Sequence, residues 1–212
     1  MTMTDNRQNT VIGTRQLRRE DPALLTGEAK FTNDLNLPGA LHLSILRSPH
    51  AHAKIVSIDT AAAKASPGVV AVYTGAELQS QWAGPMPCAW PVTPDMKNPP
   101  HFPLAASKVC YVGDGVVAVL ATSESASRDA LDLIDVEYKV LKAVVDVEEA
   151  LSDANIIHED LVTNKSYTWN LKIEATEGCV EDAFQKAAFK VSERYVQQRL
   201  LPMAMEPRAV AA

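Results

Sequence analysis

The chain has 212 residues, of which 47% are hydrophobic and 22% charged, and it carries a formal net charge of −6. That balance supports a buried core and excludes an intrinsically disordered chain, in which charge would outweigh apolar surface. An acidic chain also lacks the clustered Lys and Arg that a phosphate backbone demands of its partner, so nucleic acid is excluded as a ligand class. No apolar run approaches the roughly 20 residues that span a bilayer. The opening MTMTDNRQNT has no apolar centre of the kind a secretory signal needs. A cytoplasmic location is expected. Cys88, Cys110 and Cys179 lie far apart and are odd in number, which fits reduced thiols. They offer no local zinc or iron–sulfur spacing.

In chain order, residues 1–14 read as a polar, disordered arm. Asp21-Pro22 opens a short helix with proline at its first position, and Gly27 ends it. LNLPG at 35–39 is a turn. Leu41 to Arg47 reads as a strand, with Leu41, Leu43 and Ile45 on one face and His42, Ser44 and Leu46 on the other. His50 and His52 stand two apart and share a side if that piece is extended. A metal pair is one reading, because imidazoles are good ligands. A surface or hydrogen-bonded pair at a strand start is preferred, since no third ligand is near in sequence.

Ala53 to Asp59 is a strand, Thr60 caps a short helix over AAAKAS, and Val69 to Thr74 is a further strand. Residues 82–103 break the regular pattern. Seven of the 13 prolines fall there, and proline at that density leaves no regular element. Trp82, Met86, Trp90, Met96 and Phe102 make the same stretch too apolar for a disordered linker, so an ordered excursion is expected. Such a loop serves a site, an interface or simple packing.

Tyr111 to Leu151 is the least ambiguous stretch. Val116 to Ala121 is a near-continuous apolar run, the signature of a strand covered on both faces. Ser123 then offers an N-cap, and Ala126, Ala130, Leu133 and Ile134 share a helical face. Val136, Tyr138 and Val140 alternate with Glu137 and Lys139 as a half-buried strand. Strand, helix, strand predicts a βαβ unit with parallel strands and a right-handed crossover. The loop Gly113-Asp114-Gly115 precedes its strand instead of opening a helix, so it is read as a tight turn and not as a phosphate cradle.

Beyond Leu151 the polar run SDANIIHEDLVTNKSYTWN suggests a boundary, with His158–Glu159–Asp160 read as a solvated cluster. Tyr167 to Ala175 suggests a strand that includes Lys172. A helix after Gly178 places Val180, Ala183, Phe184 and Ala187 on one face. Phe189 to Leu200 alternates as a long strand. Glu206 and Arg208, two apart in an apolar tail, suggest a buried polar contact. The chain closes at Ala212 inside an apolar stretch, which suggests a fragment.

Several of these stretches resemble one family. RREDPALLTGEAKFTND, LHLSILRSPHAHAKIVSIDTAAAKASPGVVAVYTGAEL and YVGDGVVAVLATSESASRDALDLIDVEYKVLKAVVDVEEAL are similar to the N-terminal hammerhead domain of the molybdenum-binding large subunit of the xanthine oxidase family. IIHEDLVTNKSYTW and RYVQQRLLPMAMEPRAVAA resemble the crossing into the first molybdenum-cofactor domain. The Trp- and Pro-rich stretch and MEPR look most like the aerobic carbon monoxide dehydrogenase and aldehyde oxidase branches.

The resemblance implies an α+β (mixed α/β) fold. It implies an arm over 1–14, a hammerhead domain over 15–151 built from βαβ units, and the truncated start of the first molybdenum-cofactor domain over 152–212. It implies a parent oxidoreductase of the molybdenum hydroxylase class, holding molybdopterin cytosine dinucleotide and passing electrons to iron–sulfur and FAD-binding subunits. The family's glycine-rich cofactor segments and its general-base glutamate match nothing here. No catalytic, cofactor-binding or metal-ligating residue is therefore carried over. No cofactor is expected in this stretch alone, and no substrate among carbon monoxide, aldehydes and N-heterocycles is singled out. The competing reading is a stand-alone, non-catalytic interaction module that uses the hammerhead surface and the Trp82–Pro103 excursion.

Overall fold

The computed structural model describes residues 11–169 and 179–212. The expected strand around Lys172 and most of the arm over 1–14 lie outside the described residues, while the helix expected after Gly178 is present over Cys179–Lys186. The chain divides into two compact units, one of residues up to Pro38 together with Val191–Ala212, the other Gly39–Lys190.

In the smaller unit, helix α1 (Asp21–Thr26) carries Pro22 in its first turn, where the missing N–H costs nothing. Gly27 closes it in the left-handed region at φ 76°, as glycine does without strain. Phe189–Leu200, which straddles the division between the units, forms no strand, contrary to its alternation. A strand exists only through a partner's ladder of hydrogen bonds, and among the described residues none pairs with this segment. Its side chains are exposed, Phe189 and Tyr195 among them.

Among its described residues the larger unit has six strands: β1 (His42–Arg47), β2 (Ala53–Asp59), β3 (Val69–Thr74), β4 (Lys108–Val109), β5 (Gly115–Ala121) and β6 (Asp135–Val140). They form two three-stranded sheets, ordered β1-β5-β3 and β4-β2-β6. Every pairing is antiparallel. The α+β class holds, but the predicted parallel βαβ units do not. β5 is hydrogen-bonded along both edges, to β1 and to β3, so it has no edge left for β6. β2 is likewise enclosed by β4 and β6. Each strand–helix–strand segment thus carries the chain from one sheet to the other. Helix α2 (Ala61–Lys64) links β2 to β3, and helix α4 (Glu124–Leu131) links β5 to β6.

Local chemistry sets these crossovers. The Ser123 hydroxyl accepts from Ala126 N at 3.2 Å, capping α4 as its sequence predicts. Thr60 stands at the start of α2 but makes no capping bond; Asp59 Oδ1 accepts from Ala61 N at 2.9 Å in its place. α4 ends at Leu131, one turn before the predicted apolar face runs out, and Ile134 still packs on the core while Leu133 is exposed. Helix α3 (Gly75–Leu78) has a full capping box, with Thr74 and Glu77 satisfying each other's backbone N–H groups. That set of bonds also draws the Glu77 carboxyl below its ordinary range, the Thr74 N–H being the largest cause.

The core lies where α4 and the inner faces of the two sheets meet. It contains Ala53, Ala63, Val72, Val109, Val116, Val117, Val119 and Ala130, with Ile55, Val136 and Tyr138 packed against it. Each fully buried valine contributes about 1.5–2 kcal/mol. Among the described residues, Ser127 is the polar side chain buried without any exposure. Its hydroxyl bonds Ser44 Oγ at 2.7 Å and Glu124 O at 2.8 Å, pinning α4 to β1.

Gly75 lets the exit of the proline-rich stretch lie against α3. A Cβ at Gly75 would stand 2.3 Å from Ala105 O, which is main chain and cannot swing aside. Gly75→Ala should therefore cost about 2–3 kcal/mol, read as a lowered urea midpoint at unchanged m-value.

Candidate functional site

Two polar assemblies stand out in the larger unit. The first joins the turn after β1 to the loop before β5. Ser48 N donates to Asp114 O at 2.8 Å, and Gly113 N donates to Ser48 O at 2.8 Å. Arg47 Nη1 donates to Gly113 O at 2.8 Å. Gly113 takes φ 94°, so the tight-turn reading of Gly113-Asp114-Gly115 holds. Gly115 has a different reason: a Cβ there would lie 2.8 Å from Pro103 O.

Asp114 itself is 5% exposed. Its Oδ2 accepts from Cys110 N at 3.2 Å. Burial pushes its carboxyl above the ordinary range, and the Cys110 N–H, His101 and the Tyr111 hydroxyl only partly offset this. Burial likewise raises the Cys110 thiol, the Tyr111 phenol and the Tyr138 phenol, so each favours its neutral form. Tyr111 OH lies 3.5 Å from His101 Nε2, and Met86 pairs with His101 across an isolated bridge. Part of the proline-rich stretch is thereby fastened beside Asp114. Trp82 stacks on Phe102 at 5.5 Å, so the excursion is ordered as expected.

The two histidines do not converge. His50 meets the Tyr138 ring edge-on at 5.0 Å. His52 is 5% exposed, and its Nδ1–H donates to Lys142 O at 2.9 Å. That bond holds the segment after β6 against the turn that precedes β2. No group of three or more His, Cys, Asp or Glu able to hold a metal occurs among the described residues.

The second assembly is a cleft of about 340 Å³ whose lining includes Lys97, Pro99, Val144, His158, Leu161 and Lys165. Residues 150–166 form most of its wall. Lys97 fastens that wall to the proline-rich stretch: its N donates to Ser166 O at 2.9 Å, Ser166 Oγ donates to Lys97 O at 2.7 Å, and its Nζ donates to Leu161 O at 3.1 Å. Asn164 braces the wall from within, accepting from Ile157 N at 3.0 Å and donating to Asn155 O at 2.7 Å.

Of the cluster His158–Glu159–Asp160, expected to be solvated, Glu159 and Asp160 are exposed, and only the half-buried His158 lines this cleft. Lys108 Nζ bonds Ile157 O at 2.7 Å and pairs with the Glu159 carboxylate. The Lys108 hydrogen bond lowers the Glu159 carboxyl, and burial, with Lys108 nearby, lowers His158. Thr163 and Asn164 lower Asp153 by donating to it. Asp153 and Val162 both adopt left-handed backbone, at φ 53° and 63°. For the β-branched Val162 that is strain, of about 1–3 kcal/mol, borne by the surrounding hydrogen bonds.

Glu206 and Arg208 are exposed, and among the described residues no ion pair holds either, so the expected buried contact is not formed there. Cys88 is exposed and Cys110 half-buried. Asp114, Lys108 and Asn164 were not singled out by their sequence context. An acid between two glycines directly before an apolar strand is the one local signal that could have marked Asp114. Nothing local marks the other two, whose partners lie 7 to 51 residues away.

The family model for aldehyde oxidase and xanthine dehydrogenase, a/b hammerhead domain, matches residues 26–142. The chain belongs to this family. Among its relatives, subunit gamma of the 6-hydroxypseudooxynicotine dehydrogenase complex of Paenarthrobacter nicotinovorans is 38% identical over 94% of this chain and 25% of its own length. The carbon monoxide dehydrogenase large chain of Afipia carboxidovorans is 31% identical over 92% of this chain and 24% of its own. The crystal structure of quinoline 2-oxidoreductase from Pseudomonas putida shares 40% identity and a TM-score of 0.62, covering 70% of this chain and 19% of that one. This hammerhead chain therefore spans about a quarter of the length of the curated relatives it matches. Among the described residues, no helix is long and apolar enough to cross a membrane.

The raised Asp114 carboxyl of the hammerhead domain has a pH consequence. In the unfolded chain an aspartate titrates near about 3.9. Above that pH the folded state retains a proton that the unfolded state has lost, so stability falls as pH rises towards the raised value. Asp114→Asn removes this fall while keeping an acceptor for Cys110 N. Urea midpoints measured from pH 3.5 to 7 should show the variant gaining on wild type as pH rises. A constant difference, or a gain towards low pH, would contradict the burial argument.

Proposed function

We propose that this chain is the hammerhead part of the large subunit of a molybdenum hydroxylase, and that it acts there as a scaffold, with the chemistry carried by other parts of the enzyme. The match of the hammerhead family to 26–142, with 94% of the chain aligned to a quarter of a dehydrogenase subunit, carries this reading. The proposed organisation is an arm over 1–14, the hammerhead domain over 15–151 and the start of the first cofactor domain over 152–212. The parent enzyme would oxidise a small carbon substrate in the cytoplasm, hold molybdopterin cytosine dinucleotide, and hand electrons to iron–sulfur and FAD-binding subunits.

The described residues do not fit such a cofactor themselves. A dinucleotide needs glycines that open main-chain amides to its phosphates. Here Gly75 and Gly115 are filled by the chain's own backbone, from Ala105 and Pro103. Gly13, Gly27, Gly39, Gly84 and Gly113 are separate turn or loop positions and not a cradle. The Asp114 oxygens are committed to Cys110 N, Tyr111 and neighbouring amides. No catalytic, cofactor or metal role is therefore proposed for any residue of this chain. The proposed role of the Asp114 junction and of the Lys97 and Asn164 bonds is to hold the sheets and the proline-rich stretch as one presenting surface.

Elemental analysis tests this. The complete gene product, expressed with its neighbouring subunits, should carry stoichiometric molybdenum. The 212-residue chain expressed alone should carry none above background. Stoichiometric molybdenum in the chain alone would contradict the scaffold role. A gene that encodes no further cofactor-binding chain would favour the stand-alone interaction module.

A further inference from the structure

One face of the β1-β5-β3 sheet is covered by α4, and the other carries no helix of the larger unit's described residues. Ser44 and Val119 are register partners, and Ser44 bonds Ser127 of α4, so their side of the sheet faces the helix. Leu43, Ile45, Ala118 and Leu120 therefore point away from it. The register aligns them in two rows, Leu43–Leu120–Ala71 and Ile45–Ala118–Tyr73. Neither row carries a charge. Leu43 is 55% exposed and Tyr73 41%.

Composition argues that this face is meant to be covered. β5 is apolar on both its faces, as strands enclosed on both sides are, whereas a strand with one wet face alternates. One end of the face already has a lid. Leu104, 3% exposed, comes within 3.3 Å of the point where a Gly115 Cβ would stand, and Ile45 Cγ2 lies 3.4 Å from the same point. Among the larger unit's described residues, Ala71, Ala118 and Leu120 are half-buried and Leu43 and Tyr73 are left exposed.

We propose that the face of the β1-β5-β3 sheet opposite α4 is the seat of further polypeptide of the same large subunit, which lays aliphatic side chains over Leu43, Leu120 and Tyr73. This rests on the large-subunit reading above. Three facts select that occupant. The relatives carry about three-quarters of their length beyond the part matched here, in the same polypeptide. The rows span three strands and a few residues of each, an area of about 200 Å² at ordinary strand spacing. A separate protein bound stably needs about 800 Å² on each side, whereas a tethered segment, held at millimolar effective concentration, needs far less. A second copy is also disfavoured by the net charge of −6, which repels its like.

The test supplies the rest of the large subunit as a separately tagged polypeptide, co-expressed with this chain. Wild-type chain should capture it, and Leu43→Asp should lose at least tenfold of that capture. Val56→Asp, equally exposed on β2 of the other sheet, should lose none. Leu43 is exposed, so the melting temperature of the isolated variant should match wild type. Should it not, Leu43→Thr, polar but suited to a strand, replaces it. Capture undiminished by the Leu43 variant overturns this inference and leaves the large-subunit reading standing. Failure of wild type itself to capture the rest of the subunit overturns that reading, and the inference with it. A wild-type dimer in sedimentation velocity that the Leu43 variant abolishes would assign the face to a second copy and overturn the proposal.

Discussion

The larger unit depends on the enclosure of β5. Its backbone is bonded along both edges and its side chains are apolar on both faces. A strand so enclosed has no edge at which to accept another. The chain leaving it through α4 must therefore begin or extend another sheet. The same holds for β2 between β4 and β6. Two short crossovers between two small antiparallel sheets follow from these two enclosed strands.

That constraint also explains what the amino-acid sequence did and did not disclose. Local signals were read correctly where they act locally. Ala53–Asp59 and Val69–Thr74 have the predicted bounds, Ser123 caps its helix, and Gly27 ends the first one. Sheet membership is a choice between distant partners, and alternation within a segment carries no information about it. The parallel expectation failed for that reason. Phe189–Leu200 failed for a related one, because its alternation is strand-like but a strand without a ladder is not formed. Glu206 and Arg208 were assigned a buried contact from an apolar context that the structure leaves exposed.

The functional surface was legible only in part. The density of proline and aromatic residues marked 82–103 as an ordered excursion. Nothing in the sequence showed that Lys97 ties it to the wall over 150–166, or that Lys108 reaches across to Ile157 and Glu159. Those bonds join residues 49 to 69 positions apart. The strained Val162 sits in the same wall, next to the bonds of Thr163 and Asn164 to Asp153. Family membership came instead from long stretches of sequence, over 26–142.

The topology itself is open to direct measurement by NMR of the labelled chain. Backbone NOEs should connect Val119 to Ser44 and to Val72, and Ile58 to Val136, with no NOE between the backbones of Val116–Ala121 and Asp135–Val140. A ladder of NOEs joining those last two segments in parallel register would contradict the two-sheet arrangement on which the account of this chain rests.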